Sequence, residues 1–351
     1  MNEDYIKTPG FSAGHALHVE GKDRKLFRLL EILPGALSWG TILIIVVLSI
    51  FKPIWAAFFI IAFDLYWLLK TVHLSYHHKH NWKRLLHNIK VDWLKELEGH
   101  KYDHIYHMII LPFYKEGRDV VEESIVFLLK TKYDKKKIIV VLAGEERAGE
   151  EPWNLAKEMK AKYENDFAHF LITKHPADIE GEMAGKGSNI SYAAERARIE
   201  VLDPNNLPYE DVLVSAFDVD TIAWEQYLLC LTWHFLTTED RFHASYQPVP
   251  LYNNNIWEAP AISRVAAMSS TFWQMIQQER VEKLTTFSSH SVPFVVLHKI
   301  GYWQKNMVSE DSRIFWNLYF AHDGNYKVVP IAYPVSMDAN LAPTFWQTMV
   351  N

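Results

Sequence analysis

Two acidic motifs carry the chemistry that can be read from this sequence. The first, Asp218-Val219-Asp220, follows the apolar run 212–217, which reads as a buried strand. Residues two apart in an extended segment point the same way. Both carboxylates therefore leave the strand end together and can share one divalent cation, Mg2+ or Mn2+. The second, Ser309-Glu310-Asp311, opens a later helical stretch. A carboxylate in a first helical turn is kept ionised by capping and by the helix dipole, ready to accept a proton. A metal-diphosphate clamp plus a separate base is what transfer of a sugar from a nucleotide donor requires.

Those residues need a scaffold, and from Tyr102 onward the pattern alternates between strand and helix. Strands are expected at 105–111, 137–142, 167–173 and 212–217, and helices at 117–130, 152–163 and 188–201. Pro152 suits the first turn of its helix. Strands separated by helices imply a mostly parallel α/β sheet with helices on both faces. Ligands bind such sheets beyond the carboxyl ends of the strands. The loops after Leu111, Leu142 and Phe217 all fall on that edge. Lys186 stands beside Gly187 just ahead of a helix start, a place suited to an anionic diphosphate. His175 and Glu182 share its loop and are further donor contacts.

The N-terminal part has another character. Residues 32–51 carry no charge, and after Lys52-Pro53 the apolar run 54–69 is interrupted only by Asp64. A spanning helix needs roughly 17–25 mostly apolar residues. Lys22, Arg24, Lys25 and Arg28 precede the pair, and Lys70, Lys79, Lys83 and Arg84 follow it. Positive charge at both outer ends suits a transmembrane hairpin with both termini cytoplasmic. The apolar run starts too late for a cleaved signal peptide, and no small-residue cleavage site follows it. In this hairpin Asp64 should face protein or a polar cavity. In a buried soluble hairpin it would be a core carboxylate.

Residues 71–101 then read as an amphipathic helix at the inner membrane surface. Trp82, Leu85, Leu86, Ile89, Trp93 and Leu97 recur at helical spacing among Lys83, Arg84, Lys90 and Lys95. His73, His77, His78, His80 and His87 lie in or near it without a Cys or carboxylate to complete a zinc set, so they read as solvated interfacial side chains.

Composition narrows the partners. The 351 residues can hold one sizeable core plus an appendage. A net charge of −6 without a long basic block argues against nucleic acid. The lone Cys230 excludes an internal disulfide and reads as a small core residue. Of Trp257, Trp273, Trp303, Trp316 and Trp346, most suit core or membrane-interface positions better than sugar stacking.

From about residue 105 to 347 the sequence resembles the family 2 glycosyltransferases of the cellulose synthase and hyaluronan synthase type. Pro112-Phe113-Tyr114-Lys115-Glu116 resembles the turn after the first strand that receives the nucleotide. Lys186-Gly187-Ser188-Asn189 resembles the element whose lysine side faces the donor. Asp218-Val219-Asp220 resembles the DxD motif, Gln247-Pro248 the following glutamine-proline strand, and Ser309-Glu310-Asp311 the motif whose aspartate is the base. The resemblance implies a GT-A-type domain over 102–336, facing the cytoplasm at the cell (inner or plasma) membrane. It implies an inverting transfer from a nucleotide-sugar donor to a carbohydrate or lipid-linked acceptor. Pro112, Tyr114, Glu116, Glu145, Lys186 and Asp218 would then bind the donor, Asp218 and Asp220 the metal, and Asp311 with Glu310 would be catalytic.

Two departures stand out. The family's aspartate after the second strand is replaced by Gly144-Glu145, one residue late. The QxxRW motif of processive members has no counterpart in 337–351, so that region is expected to begin a truncated C-terminal part of a longer protein. A catalytically inactive nucleotide-sugar sensor or assembly partner is the alternative reading. Bland explanations also exist for single residues. Asp218 and Asp220 suit an ordinary turn, and Asp311 suits a helix start capped by Ser309. Ile222 departs from a phosphatase-type DxDx[T/V] motif. The segment 286–291, with small hydroxyls and His290, suits sugar hydroxyls, though a turn accounts for the same residues.

Overall fold

The computed structural model describes residues 11–341 together with Met1 and Lys7; most of the expected C-terminal region 337–351, including Trp346, lies outside the described residues. The chain divides into two compact units, one of residues 7–80 and one built on residues 81–341.

The first unit is dominated by two helices, α1 (Gly21–Phe51) and the greater part of α2 (Pro53–Asn88). Lys52 alone separates them. Its N–H still reaches Leu48 O at 2.8 Å, and Pro53 opens α2, where a missing N–H leaves no bond unmade. No residue of α1 is buried. Both helices are long and apolar enough to cross a membrane. Asp64 lies on the exposed surface of α2. The His73 and His77 rings meet edge to face with centroids 4.5 Å apart, and no group of three metal-ligating side chains occurs among the described residues.

The expected separate helix over 71–101 is not formed. With no Gly or Pro between Ile54 and Asn88, α2 runs through 71–88 without a break. The chain then turns into the short α3 (Trp93–Glu96). Leu85, Trp93 and Leu97, expected at a lipid surface, are buried inside the second unit. Helical apolar spacing reports a face that must be covered, and here a protein core covers those three side chains.

The second unit is an eight-stranded sheet among the described residues, ordered β3-β2-β1-β4-β7-β6-β8-β5. Its first half is parallel throughout: β1 (Tyr106–Pro112), α4 (Arg118–Lys130), β2 (Ile138–Glu145), α5 (Glu150–Tyr163), β3 (His169–His175), α6 (Lys186–Ala197) and β4 (Val212–Ala216). Every residue of β2 is buried, so both of its faces are covered, as near-continuous apolar strands require. Strand β2 continues through Ala143 and Gly144, and Glu145 is therefore a strand residue and not part of an acidic loop.

The second half is mixed. After β5 (Ile222–Ala223) and α7 (Tyr227–Thr237) come β6 (Ala244–Tyr252), α8 (Ala261–Gln277), β7 (Ser291–Pro293), α9 (Phe294–Lys299), α10 (Glu310–Ala321) and β8 (Lys327–Met337). Strand β7 enters antiparallel between β4 and β6, and β8 runs parallel to β6 with a register shift between Gln247 and Val249. Cys230 is buried in α7, as expected of a small core residue.

Because Leu97 is fully buried, Leu97→Ala should destabilise the protein by about 2–5 kcal/mol. Chemical unfolding in detergent checks this. An unchanged unfolding midpoint would return Leu97 to the surface.

Candidate active site

Three separate segments bring charged side chains to the C-terminal edge of the parallel strands. Asp218 and Asp220 follow β4, in a turn closed by Thr221 N donating to Asp218 O at 2.8 Å. Lys186 is the first residue of α6. Glu310 and Asp311 open α10, with Ser309 at the cap position but making no side-chain capping bond. The expected cap explanation of the motif is therefore absent for Ser309.

Lys186 Nζ lies 2.6 Å from Asp218 Oδ1 and 3.0 Å from Asp311 Oδ2. Burial works against its ammonium, but the two carboxylates outweigh that effect and raise its pKa. Burial likewise acts against the Asp218 anion, yet Lys186 and the Ser288 hydroxyl hold its carboxyl below the ordinary range. Glu310 is different. It is 4% exposed, and burial together with the adjacent Asp311 charge raises its pKa to about 7. Glu310 thus packs beneath the site while Asp311 faces into it.

The approach of α10 to α6 depends on Gly187. A Cβ there would lie 2.6 Å from Gln304 O and 3.0 Å from Glu310 Cβ. Asn189 Nδ2 ties the same helix to Ala143 O at the end of β2, at 2.8 Å. The Lys186-Gly187-Ser188-Asn189 run therefore aims a cation, removes a side chain and anchors the helix to the sheet.

Asp220 fits a cation. Its Oδ1 is buried and makes no hydrogen bond, while Oδ2 accepts from Asp338 N at 3.3 Å. Burial, Asp218 and Asp338 raise its pKa to about 7. Carboxylates crowded together with an unused oxygen are relieved by a divalent ion. No cluster of three or more His, Cys, Asp or Glu side chains able to hold a metal exists among the described residues. Mg2+ commonly uses one or two carboxylates and completes its shell with substrate phosphates and water, which suits this pair.

Beside these acids lies a cavity of about 450 Å³ lined by Pro112, Tyr114, Glu145, Arg147, Lys186 and Asp220, among others. Arg147 pairs with Glu145 and covers the Tyr114 ring at 4.7 Å. Glu116 also lines the cavity, but its carboxylate folds back to accept from Tyr114 N at 2.6 Å and Lys115 N at 3.1 Å. It shapes the turn. His175 and Glu182 bond each other at 3.0 Å, and Lys305 reaches Glu182 at 2.9 Å. His175 and Glu182, with Glu145 and Arg147, line a smaller adjoining hollow.

The largely buried segment 286–291 reaches Asp218 through Ser288 and Asp311 through His290. Gln247, fully buried in β6, accepts from Phe287 N at 2.8 Å and donates to Ser288 O at 3.1 Å. That bracket presents Ser288 to Asp218. His290 Nδ1 lies 2.9 Å from Phe287 O and 3.6 Å from Asp311 Oδ1, while the Trp303 indole N–H donates to Nε2 at 3.1 Å. With Nε2 accepting, the ring proton sits on Nδ1, facing Phe287 O and Asp311.

The sequence reading missed Arg147 and Asp338. Arg147 is a lone cation inside an acidic run, a legible signal. Asp338 follows β8, whose pairing with β5 returns it to the Asp220 turn, and nothing local in sequence marks that.

No protein-family model matches the sequence, and no curated protein sequence matches it. In structure the chain is similar to a mannosyltransferase, PcManGT from Pyrobaculum calidifontis, in complex with GDP-Man and Mn2+. That similarity has 15% identity over 76% of this chain and 67% of that one, with a TM-score of 0.46. It is also similar to S. aureus TarS 1-349 (13% identity, 67% of this chain, 60% of that one, TM-score 0.41). A third is GalNAc-T7 with UDP, GalNAc and Mn2+ (12% identity, 70% of this chain, 47% of that one, TM-score 0.43). At these identities the likeness concerns chain path and assigns no substrate.

Gly187→Ala should cost about 1–3 kcal/mol through overpacking, because the obstructing atom is a backbone carbonyl. The thermal unfolding midpoint in detergent checks it; an unchanged midpoint would contradict the close approach of Gln304.

Proposed function

We propose that the chain is a membrane-anchored glycosyltransferase. On this reading it belongs with the family 2 enzymes of the cellulose synthase and hyaluronan synthase type, and it moves a sugar from a nucleotide donor to a polysaccharide or lipid-linked acceptor with inversion. The observation that carries the proposal is the Lys186 ammonium between Asp218 and Asp311 at the ligand edge of the parallel strands. A donor clamp and a proton acceptor on opposite sides of one cation are what a displacement at an anomeric carbon needs.

The donor's nucleoside would occupy the cavity beside Tyr114, Glu145 and Arg147, with Pro112 and Glu116 shaping its entrance. Lys186 balances diphosphate charge. Asp218 and Asp220 would hold Mg2+ or Mn2+, whose contribution is charge neutralisation on a leaving diphosphate. Asp311 takes the proton of the acceptor hydroxyl as its oxygen bonds to the anomeric carbon and the bond to the diphosphate breaks. Glu310, buried behind it, is a support for Asp311 rather than a second base. The segment 286–291, which touches both Asp218 and Asp311, would adjoin the acceptor. Helices α1 and α2 would anchor the protein in the inner or plasma membrane, with the catalytic unit cytoplasmic, where nucleotide sugars are made.

Asp311→Asn should lower turnover about 10²–10⁴-fold while leaving metal-dependent donor binding in place. Asp220→Asn should weaken that binding, as should chelation of the metal in the unaltered protein. Steady-state turnover and calorimetric titration with nucleotide sugars check the pair. Full turnover by Asp311→Asn would remove it as the base.

A further inference from the structure

Helix α8 differs from an ordinary surface helix in carrying large apolar side chains on its outward face. Such a helix turns its apolar stripe inward and its polar face to water. Here the buried residues are Ser263 and Ala267 and, where the helix ends, Gln274, Met275, Ile276 and Gln277; Ala267 packs on Ala259 and Ala339. Thr271 Oγ1, on the same helix, donates to Pro250 O of β6 at 2.9 Å. The outward side carries Ile262 (39% exposed), Val265 (67%), Met268 (59%) and Trp273 (47%), and Trp257 just before the helix is 84% exposed. At 100° per residue the four helix positions, 262, 265, 268 and 273, fall on one face. Single exposed apolar residues are ordinary, but a contiguous patch marks a docking surface.

We infer that this face of α8 lies in the headgroup region of a lipid bilayer. Three observations favour lipid as the occupant. The helix contains no Asp or Glu, and its only charged residue is Arg264, although the chain as a whole carries −6. Trp257 and Trp273 are side chains suited to a boundary between hydrocarbon and water. The C-terminal end of α8 is fastened to the last turns of α2. Met275 packs on Leu85, Arg84 donates to Gln278 O at 3.1 Å, and Asn81 donates to Glu279 Oε1 at 3.1 Å. Asn81, Arg84 and Leu85 all belong to the helix Pro53–Asn88, which is long and apolar enough to span. The surface role expected for 71–101 is thus assigned to 261–277. Binding would come from partial burial of the apolar face at the headgroup boundary.

This inference rests on the proposed membrane anchoring, and the test separates the two. The full chain is reconstituted in vesicles of phosphatidylcholine and phosphatidylglycerol in equal amounts, with an NBD fluorophore at Val265→Cys. Cys230 is fully buried and stays unlabelled. Leu43→Cys on α1 reports anchoring, and Ala161→Cys on the charged surface of α5 is the aqueous control. We expect blue-shifted emission at 265, quenched by lipids bearing doxyl groups near the headgroup, with quenching at 43 by deep doxyl groups and none at 161. Quenching at 43 with a 265 label that behaves like 161 would overturn the α8 assignment and leave the anchor standing. A 265 label shielded from water but quenched by no lipid would overturn it too, pointing to a second copy or another protein. Silence at both 43 and 265 would remove the anchor and this inference with it.

Discussion

The Lys186 ammonium, 2.6 Å from Asp218 and 3.0 Å from Asp311, joins the end of β4, the start of α6 and the start of α10. Each segment reaches the junction through its own local chemistry. The β4 turn is closed by Thr221, α6 is tied to β2 through Asn189, and α10 can approach only because Gly187 has no side chain. Removing the cation would leave two carboxylates facing each other in a partly desolvated cleft, an arrangement more costly than the pair is favourable. The same geometry is what chemistry on an anionic donor uses, because a fixed positive charge between clamp and base needs no reorganisation when substrate arrives.

Around that junction lies a layer of buried hydrogen bonds that reaches the acids through Ser288 and His290. Gln247 holds the 287–288 backbone, which presents Ser288 to Asp218. Trp303 fixes the His290 ring so that its proton faces Phe287 O and Asp311. These are interactions between segments far apart in sequence, and they set side-chain directions that the motifs alone leave open.

Much of the parallel half of the sheet was legible because its strands are short, β-branched and separated by amphipathic helices, the case in which periodicity is informative. The clustering of the candidate acids was legible because they end a buried strand and open a helix. The segment 71–101 was misassigned for an equally physical reason. Apolar spacing shows that Leu85, Trp93 and Leu97 need covering, but it does not distinguish lipid from a protein core. Apart from the strand at Gln247-Pro248, expected through the resemblance, the mixed half escaped because β6, β7 and β8 contain Pro248, Pro250, Pro293, Pro330 and Pro334, which speak against central strands. Glu116 was placed correctly in the first turn, yet its carboxylate serves the backbone of that turn, a detail fixed by local geometry alone.

The most direct test of the account is release of nucleoside diphosphate from a panel of nucleotide sugars by the purified full chain in detergent, with and without Mn2+. The account predicts metal-dependent release from one donor class. Neither release nor metal-dependent binding with any donor would contradict the assignment of the Asp218, Asp220, Lys186 and Asp311 cluster as a sugar-transfer site.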